Sequence, residues 1–262
     1  MPKLAANISM LFQELDFMDR IDAAAKAGFE AVECLFPYAY DADEIARRMA
    51  KCNLIMVLHN FPAGDWNKGD RGLACDPMRI SEFEDSIDLA ISFAKTLGVK
   101  QLNCLAGIRP AEVSPAVADQ TIQKNLRYAA ERLNKVGLRL LLEPINTYDI
   151  PGFSVSTSKY ALELMKKVSA ENILLQYDVY HMQRMEGELA NTISQNLNKI
   201  AHIQIADTPG RTEPGTGEIN YGFLLRLLDE LGYTGWVGCE YLPENDTLSG
   251  LNWRSKISEA NC

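Results

Sequence analysis

At 262 residues, the chain is long for an ordinary domain and matches the size of one eight-fold β/α barrel, about 250 residues. Its 26 Lys and Arg against 35 Asp and Glu leave a formal net charge of -9, which repels nucleic acid and anionic membrane and excludes a generic polyanion partner. The six cysteines (Cys34, Cys52, Cys75, Cys104, Cys239 and Cys262) form no CxxC pair, and no stretch approaches the roughly 18 apolar residues of a membrane span. A reducing, cytoplasmic setting is therefore expected, with no disulfide framework.

In chain order, short runs rich in Val, Ile and Leu alternate with segments of helical period. The predicted strands are "KLAANIS", "AVECLF" from Ala31, "IMVLHN" from Ile55, "QLNCLAG" from Gln101, "RLLLEPIN" from Arg139, "ILLQYDVYH" from Ile173, "AHIQIAD" from Ala201 and "WVGCEY" from Trp236. Between them lie amphipathic segments such as "EFEDSIDLAISFAKTLG" from Glu82, where Phe83, Ile87, Ile91 and Phe93 or Ala94 recur every three or four residues. Eight alternations favour closure, so the expected fold class is α/β, a single (β/α)8 TIM barrel over residues 1–262. Gly in "AGF", "LGV", "VGL" and "LGY" punctuates the helix ends as a C-cap. Two long Gly/Pro-rich loops, "FPAGDWNKGDRGLACDP" and "TPGRTEPGTGEINY", fall after the third and seventh strands, on the C-terminal face where active sites of this fold sit.

The polar residues at the C-terminal strand ends surround one cavity. They are Glu33, His59, Glu143, Asp178 and His181, then His202, Gln204, Asp207 and Glu240. Glu143, Asp178 and Glu240 each follow an apolar run. Three carboxylates converging in a low-dielectric pocket repel one another unless some are protonated or a cation neutralises them. Gln204 adds a neutral oxygen in the same layer, because a buried amide needs a partner. An oxygen-only set suits Mg²⁺ or Mn²⁺ better than Zn²⁺ or copper. Taken singly, a strand-end carboxylate is an ordinary helix cap or surface ion pair. Glu33 and Asp207 read as supporting or structural residues, His202 reads equally as a bonded core histidine or as a substrate contact, and "VYHMQRM" reads as packing and loop. Neither a GxGxxG fingerprint nor a P-loop occurs, so no nucleotide cofactor is expected.

At these residues the chain resembles the xylose-isomerase-like barrels, and within them the hydroxypyruvate isomerase family. The similarity runs over nearly the whole length, through "FPYAYD", "LHNFPAGDWNKGDRGLAC", "LLEPINTYDIPGF", "QYDVYHMQRMEGEL", "HIQIADTPGRTEPGTGEINY" and "GWVGCEY". The C-terminal stretch "LNWRSKISEANC" departs from it, and no function is assigned there. The resemblance implies a metal-assisted aldose-ketose type isomerase interconverting hydroxypyruvate and 2-hydroxy-3-oxopropanoate. It implies Glu143 and Glu240 as the catalytic pair, and Glu143, Asp178, Gln204 and Glu240 as metal positions. Related sugar epimerases carry histidine where Gln204 stands. The Asp-x-x-His step to His181 matches relatives in which that histidine contacts substrate oxygen.

A small hydroxy or oxo acid substrate also needs a cation for its carboxylate. Arg71 and Arg211 in the long loops suit that role better than Lys68, since Arg pairs with a carboxylate through two parallel bonds. Trp66 is expected to close over the site, and His59 to line it. Isomerisation of a longer substrate, a 2-oxo-tetronate or a ketohexose, is the nearest alternative. Cleavage of damaged DNA, known in the superfamily, is disfavoured by three histidines and the net charge of -9. A non-catalytic sugar-acid binder and a homo-oligomer are left open by the sequence.

Overall fold

A computed structural model describes residues 2–260. Eight strands close into a barrel in chain order, every neighbouring pair parallel. They are β1 (Lys3–Asn7), β2 (Ala31–Glu33), β3 (Ile55–Asn60), β4 (Gln101–Cys104), β5 (Arg139–Leu142), β6 (Ile173–Asp178), β7 (Ile200–Ile205) and β8 (Trp236–Cys239). Around them run α1 (Phe17–Lys26), α2 (Ala42–Lys51), α3 (Ile80–Leu97), α4 (Pro115–Asn134), α5 (Ser158–Val168), α6 (Val179–Met185), α7 (Leu189–Asn196), α8 (Tyr221–Glu230), α9 (Thr247–Gly250) and α10 (Trp253–Ala260). The TIM barrel expected from the alternation of apolar runs is the fold of this chain.

Local chemistry sets the helix boundaries. Asp41, Ser114, Thr157 and Asn220 each accept a backbone N–H of the turn they open, which satisfies a donor with no intrahelical partner. Gly98 ends α3 with φ +72, a left-handed conformation that a Cβ would strain. Phe83, Ile87, Ile91 and Ala94 are buried along α3 as the periodicity predicts, whereas Phe93 is partly exposed and packs edge-on against Tyr38.

Strand β3 ends at Asn60 as the sequence predicts, and the other seven strands stop two to four residues sooner than predicted. The sixth strand stops at Asp178 rather than running on to His181. Asp178 Oδ1 accepts the N–H of Tyr180 at 2.8 Å and of His181 at 3.3 Å, so the chain turns into α6 there. "VYHMQRM" is that helix, with Val179 to Met182 buried.

Strand side chains alternate between the barrel interior and the helix layer. The lower interior is an apolar plug of Ala5, Ala31, Leu58 and Leu141, with Leu174, Ala201 and Trp236 packed against it. Above the plug, the inward positions become polar. Five cysteines, Cys34, Cys52, Cys75, Cys104 and Cys239, are free thiols, as their spacing predicts, and Cys262 lies outside the described residues. Among the described residues, no helix is long and apolar enough to cross a membrane.

Candidate active site

Parity along the strands selects the residues that face the cavity. Register pairs Asn7 with Glu33, Asn60 with Asn103, and Asp178 with Gln204. Glu143 follows β5 directly and Glu240 follows β8. All of these side chains are buried, Glu143 and Glu240 being 4% exposed and Asp178 fully enclosed.

Two clusters share this cavity. In the first, Glu33 accepts from His202 Nε2 at 2.6 Å, from Asn7 Nδ2 at 3.0 Å and from Gln204 Nε2 at 2.8 Å. Asn7 and Gln204 also donate to Glu240 Oε2, at 2.8 and 2.5 Å. A Cβ on Gly238 would lie 2.4 Å from both Glu33 oxygens, so the glycine on β8 makes room for this carboxylate. Glu33 thus takes the supporting position that the sequence suggested, and His202 is the hydrogen-bonded core histidine, one of the two readings the sequence left open.

In the second cluster, Glu143, Asp178 and His181 each offer an atom within 4.8 Å of the others. His181 Nε2 lies 3.6 Å from Asp178 Oδ2 and 3.9 Å from Glu143 Oε1. Asn103 Nδ2 donates to Glu143 Oε2 at 2.7 Å and to Asn60 Oδ1 at 3.1 Å. Among the described residues, none donates a hydrogen bond to buried Asp178 Oδ2.

Arg211 joins the clusters from the β7 loop, its Nη2 2.7 Å from Glu240 Oε1 and 3.9 Å from Asp178 Oδ2. Its backbone has φ +56, a strained value for a non-glycine residue, and its guanidinium lies over the Tyr180 ring. Burial works against its charge, but Glu240, Asp178 and Glu143 outweigh that and hold it protonated.

One guanidinium does not balance three carboxylates. Burial, then the Asp178 charge, pushes Glu143 up to about 8, and burial pushes Asp178 up to about 6 against the pull of Arg211. Burial also drives Glu240 well above the ordinary carboxylate range. Burial, followed by the charges of Arg211 and Arg184, drives His181 well below the ordinary histidine value, so the ring is neutral.

The structure brings Glu143, Asp178, His181, Gln204, Glu240 and Arg211 together and treats the other predicted residues differently. His59 pairs in register with Leu102, whereas its neighbour Asn60 pairs with the inward Asn103. His59 therefore faces the helix layer, where Nδ1 lies 3.1 Å from Tyr38 Oη, rather than lining the cavity. Arg71 lies over the Trp66 ring at 3.9 Å and donates to the backbone oxygens of Trp66 and Asp70, so these two form a unit within the β3 loop. Lys68 is exposed and pairs with Asp65. Asp207 accepts backbone N–H groups from Thr208, Gly215 and Ile219 and so shapes the loop that carries Arg211.

Gln204 meets its need for a partner in an unexpected way. It presents Nε2 to the carboxylates, while its Oε1 accepts from Gln176 Nε2 at 2.7 Å. The asparagines Asn7, Asn103 and Asn146 were not singled out from sequence. For Asn7 and Asn103 the only signal is their inward position on β1 and β4, whereas Asn146 lies four residues past β5, where strand parity gives none.

A parallel barrel with titratable side chains buried at its C-terminal mouth defines a class, the TIM-barrel enzymes. Residues 21–257 match the family model described as xylose isomerase-like TIM barrel. The chain is 51% identical to hydroxypyruvate isomerase of Escherichia coli (strain K12), over 97% of this chain and 98% of that one. It is 42% identical to 2-oxo-tetronate isomerase of Cupriavidus necator, over 97% of each. It also superposes on a crystal structure described as AP endonuclease, family 2, from Brucella melitensis, with a TM-score of 0.95 and 42% identity over 98% of this chain and 99% of that one. The chain belongs to the xylose isomerase-like TIM barrel family, and it is an isomerase.

Proposed function

We propose that the protein interconverts hydroxypyruvate and 2-hydroxy-3-oxopropanoate through an enediolate, with Glu143 and Glu240 as the acid–base pair. The observation that carries this reading is the pair of glutamates buried at the C-terminal ends of β5 and β8, with Asp178 beside Glu143 and Arg211 between Asp178 and Glu240, each glutamate with its proton affinity raised. The 51% identity to the hydroxypyruvate isomerase supports it.

The residues fit a hard divalent cation, Mg²⁺ or Mn²⁺. Asp178 Oδ2 is a buried anionic oxygen without a donor, beside Glu143 and in an interior where unpaired charge is costly. Glu143, Asp178 and Glu240 would hold the ion. Gln204 would add its oxygen if its amide turned over together with that of Gln176, whose Oε1 is buried and unpartnered. When bound, the ion supplies Lewis-acid polarisation of the substrate carbonyl.

Hydroxypyruvate carries a ketone beside a CH₂OH group. One glutamate takes a C3 proton, electrons shift to give the enediolate, and a proton returns to C2. The hydroxyl proton at C3 leaves as the aldehyde forms, and the C2 oxygen gains one. Positioned acids and bases each contribute about 10² to 10⁴-fold. Neutral His181 donates to the developing oxyanion. Arg211 exchanges Glu240 for the substrate carboxylate, and Trp66 with Arg71 covers the mouth against water.

The test is turnover of hydroxypyruvate against 2-oxo-tetronate and a ketohexose, before and after chelation. Highest kcat/KM with hydroxypyruvate, loss with chelator and recovery with Mg²⁺ or Mn²⁺ are expected. A preference for the four-carbon acid, which the 42% identical relative's name favours, would replace the substrate while leaving the chemistry. Catalysis in D₂O should place deuterium on substrate carbon, whereas complete transfer without exchange would sink the free enediolate.

A further inference from the structure

Asn146 sits at the start of the β5 loop, and four contacts fix its amide. Its Oδ1 accepts the backbone N–H groups of Tyr148 at 3.0 Å and Asp149 at 2.9 Å. A backbone N–H can bond only the oxygen, so the Oδ1 and Nδ2 ends of this amide cannot be exchanged. The opposite end, Nδ2, donates to Asp149 Oδ2 at 3.0 Å and meets His181 Nδ1 at 2.7 Å. Asp149 is anchored in turn by Arg184 at 3.0 Å and by Tyr180 Oη at 2.8 Å.

We infer that Asn146 is a positioning residue that locks His181 in the tautomer carrying its proton on Nε2. An NH₂ group facing Nδ1 leaves that nitrogen only the acceptor role, and a neutral imidazole then carries its one hydrogen on the other nitrogen. Nε2 is the nitrogen that faces Asp178 and Glu143 across 3.6 and 3.9 Å, gaps too long for direct hydrogen bonds.

Two consequences follow. His181 presents an N–H to the cavity, ready for a substrate oxygen. It also offers no lone pair to a cation there, although its position beside two carboxylates gives the cluster the spacing of a metal site. His181 is thus a donor, and an ion in this cavity takes its ligands from the carboxylates. This deepens the isomerase reading and rests on it for the substrate oxygen, but the tautomer is a property of the protein alone.

The test is a ¹H–¹⁵N spectrum of the histidine rings in metal-free, substrate-free protein, with His181 assigned by difference from His181→Gln. The expected wild-type pattern is a protonated Nε2 and a bare Nδ1. Asn146→Asp places a carboxylate oxygen against Nδ1 and should move the proton there, with kcat down about 10²-fold and KM changed less. Asn146→Ala, with no partner at Nδ1, should give a tautomer mixture and a smaller loss. A bare Nε2 in the wild type, or an unchanged ring pattern in both variants, overturns the inference. A moved proton with unchanged kcat overturns the positioning role. Absence of isomerase turnover in the wild type would sink the functional reading and leave the ring spectrum standing.

Discussion

The cavity has two acidic sides that resemble each other in composition and differ in how their oxygens are satisfied. Toward β1, β2 and β7, Glu33 has donors on both carboxylate oxygens, from His202, Asn7 and Gln204. Toward β5 and β6, Asp178 has one oxygen tied to the first turn of α6 and one with no donor. Glu240 spans the two, with Oε2 held by Asn7 and Gln204 and Oε1 held by a loop arginine. Glu33 has its charge met by donors within the barrel, whereas one oxygen of Asp178 is left without one among the described residues. A carboxylate and a histidine occur on both sides, so residue type alone does not tell them apart.

The largest test of this contrast is on rate. Glu143→Gln and Glu240→Gln should each lower kcat by about 10³-fold or more. The thermal midpoint should stay near the wild-type value for Glu143→Gln, whose buried carboxyl already favours its neutral form, and fall somewhat for Glu240→Gln, which weakens the 2.7 Å pairing of buried Arg211. A large drop in stability with activity per folded molecule preserved would assign these glutamates to the scaffold.

Next in size is Glu33→Ala. Removing the hub leaves His202 Nε2 buried without its acceptor and strips Asn7 and Gln204 of one of their two carboxylate partners, and a cost of about 3 to 5 kcal/mol in denaturant unfolding is expected. Asp178→Asn, by contrast, should cost little in chelated protein and abolish the stabilisation by added Mg²⁺ or Mn²⁺ that the proposed site predicts for the wild type. Equal destabilisation by the two substitutions would erase the distinction.

His59 supplies a reference outside the cavity. Burial lowers it to about 4 in the folded protein, against about 6.5 unfolded. Below pH 6.5 the unfolded chain therefore binds a proton that the folded one refuses. Stability is fully present above that pH and is lost as pH falls toward 4, by up to about 3 kcal/mol. His59→Phe should flatten the difference between unfolding free energies at pH 6.5 and 4, with kcat unchanged at pH 7.5. A rate defect there would place His59 back at the site.

Gly238→Ala is the smallest change. Its Cβ would press on both Glu33 oxygens, costing about 1 to 3 kcal/mol as overpacking does, with a modest fall in kcat through Glu240. A stabilised variant would show that the scaffold side has slack.

Much of this was legible before any coordinates. Periodicity gave the eight strands and the α3 core face, and residues that follow apolar runs gave Glu143, Asp178 and Glu240, because the strand end is the barrel mouth in this fold. His59 was misplaced because proximity to a strand end does not reveal facing. That depends on parity relative to Asn103 on the neighbouring strand, hence on register. The sixth strand ran too long because "VYH" suits strand and helix alike, and only the cap by Asp178 decides. The asparagines escaped notice because an uncharged amide near a strand end is ordinary until its partners are known.

The sequence by itself determined the barrel, the face that carries the site and the acidic character of the cavity, since these follow from short-range pattern and from the closure rule of alternating units. Tertiary structure alone decided which carboxylate is scaffold and which is left open, which way Gln204 turns its amide, where Arg211 places its charge and which nitrogen of His181 meets the cavity. Each of those depends on hydrogen bonds between residues far apart in the chain, such as Glu33 with His202 and Asn146 with His181. Their directions are fixed only when strand register brings donor and acceptor within 3 Å or so of each other.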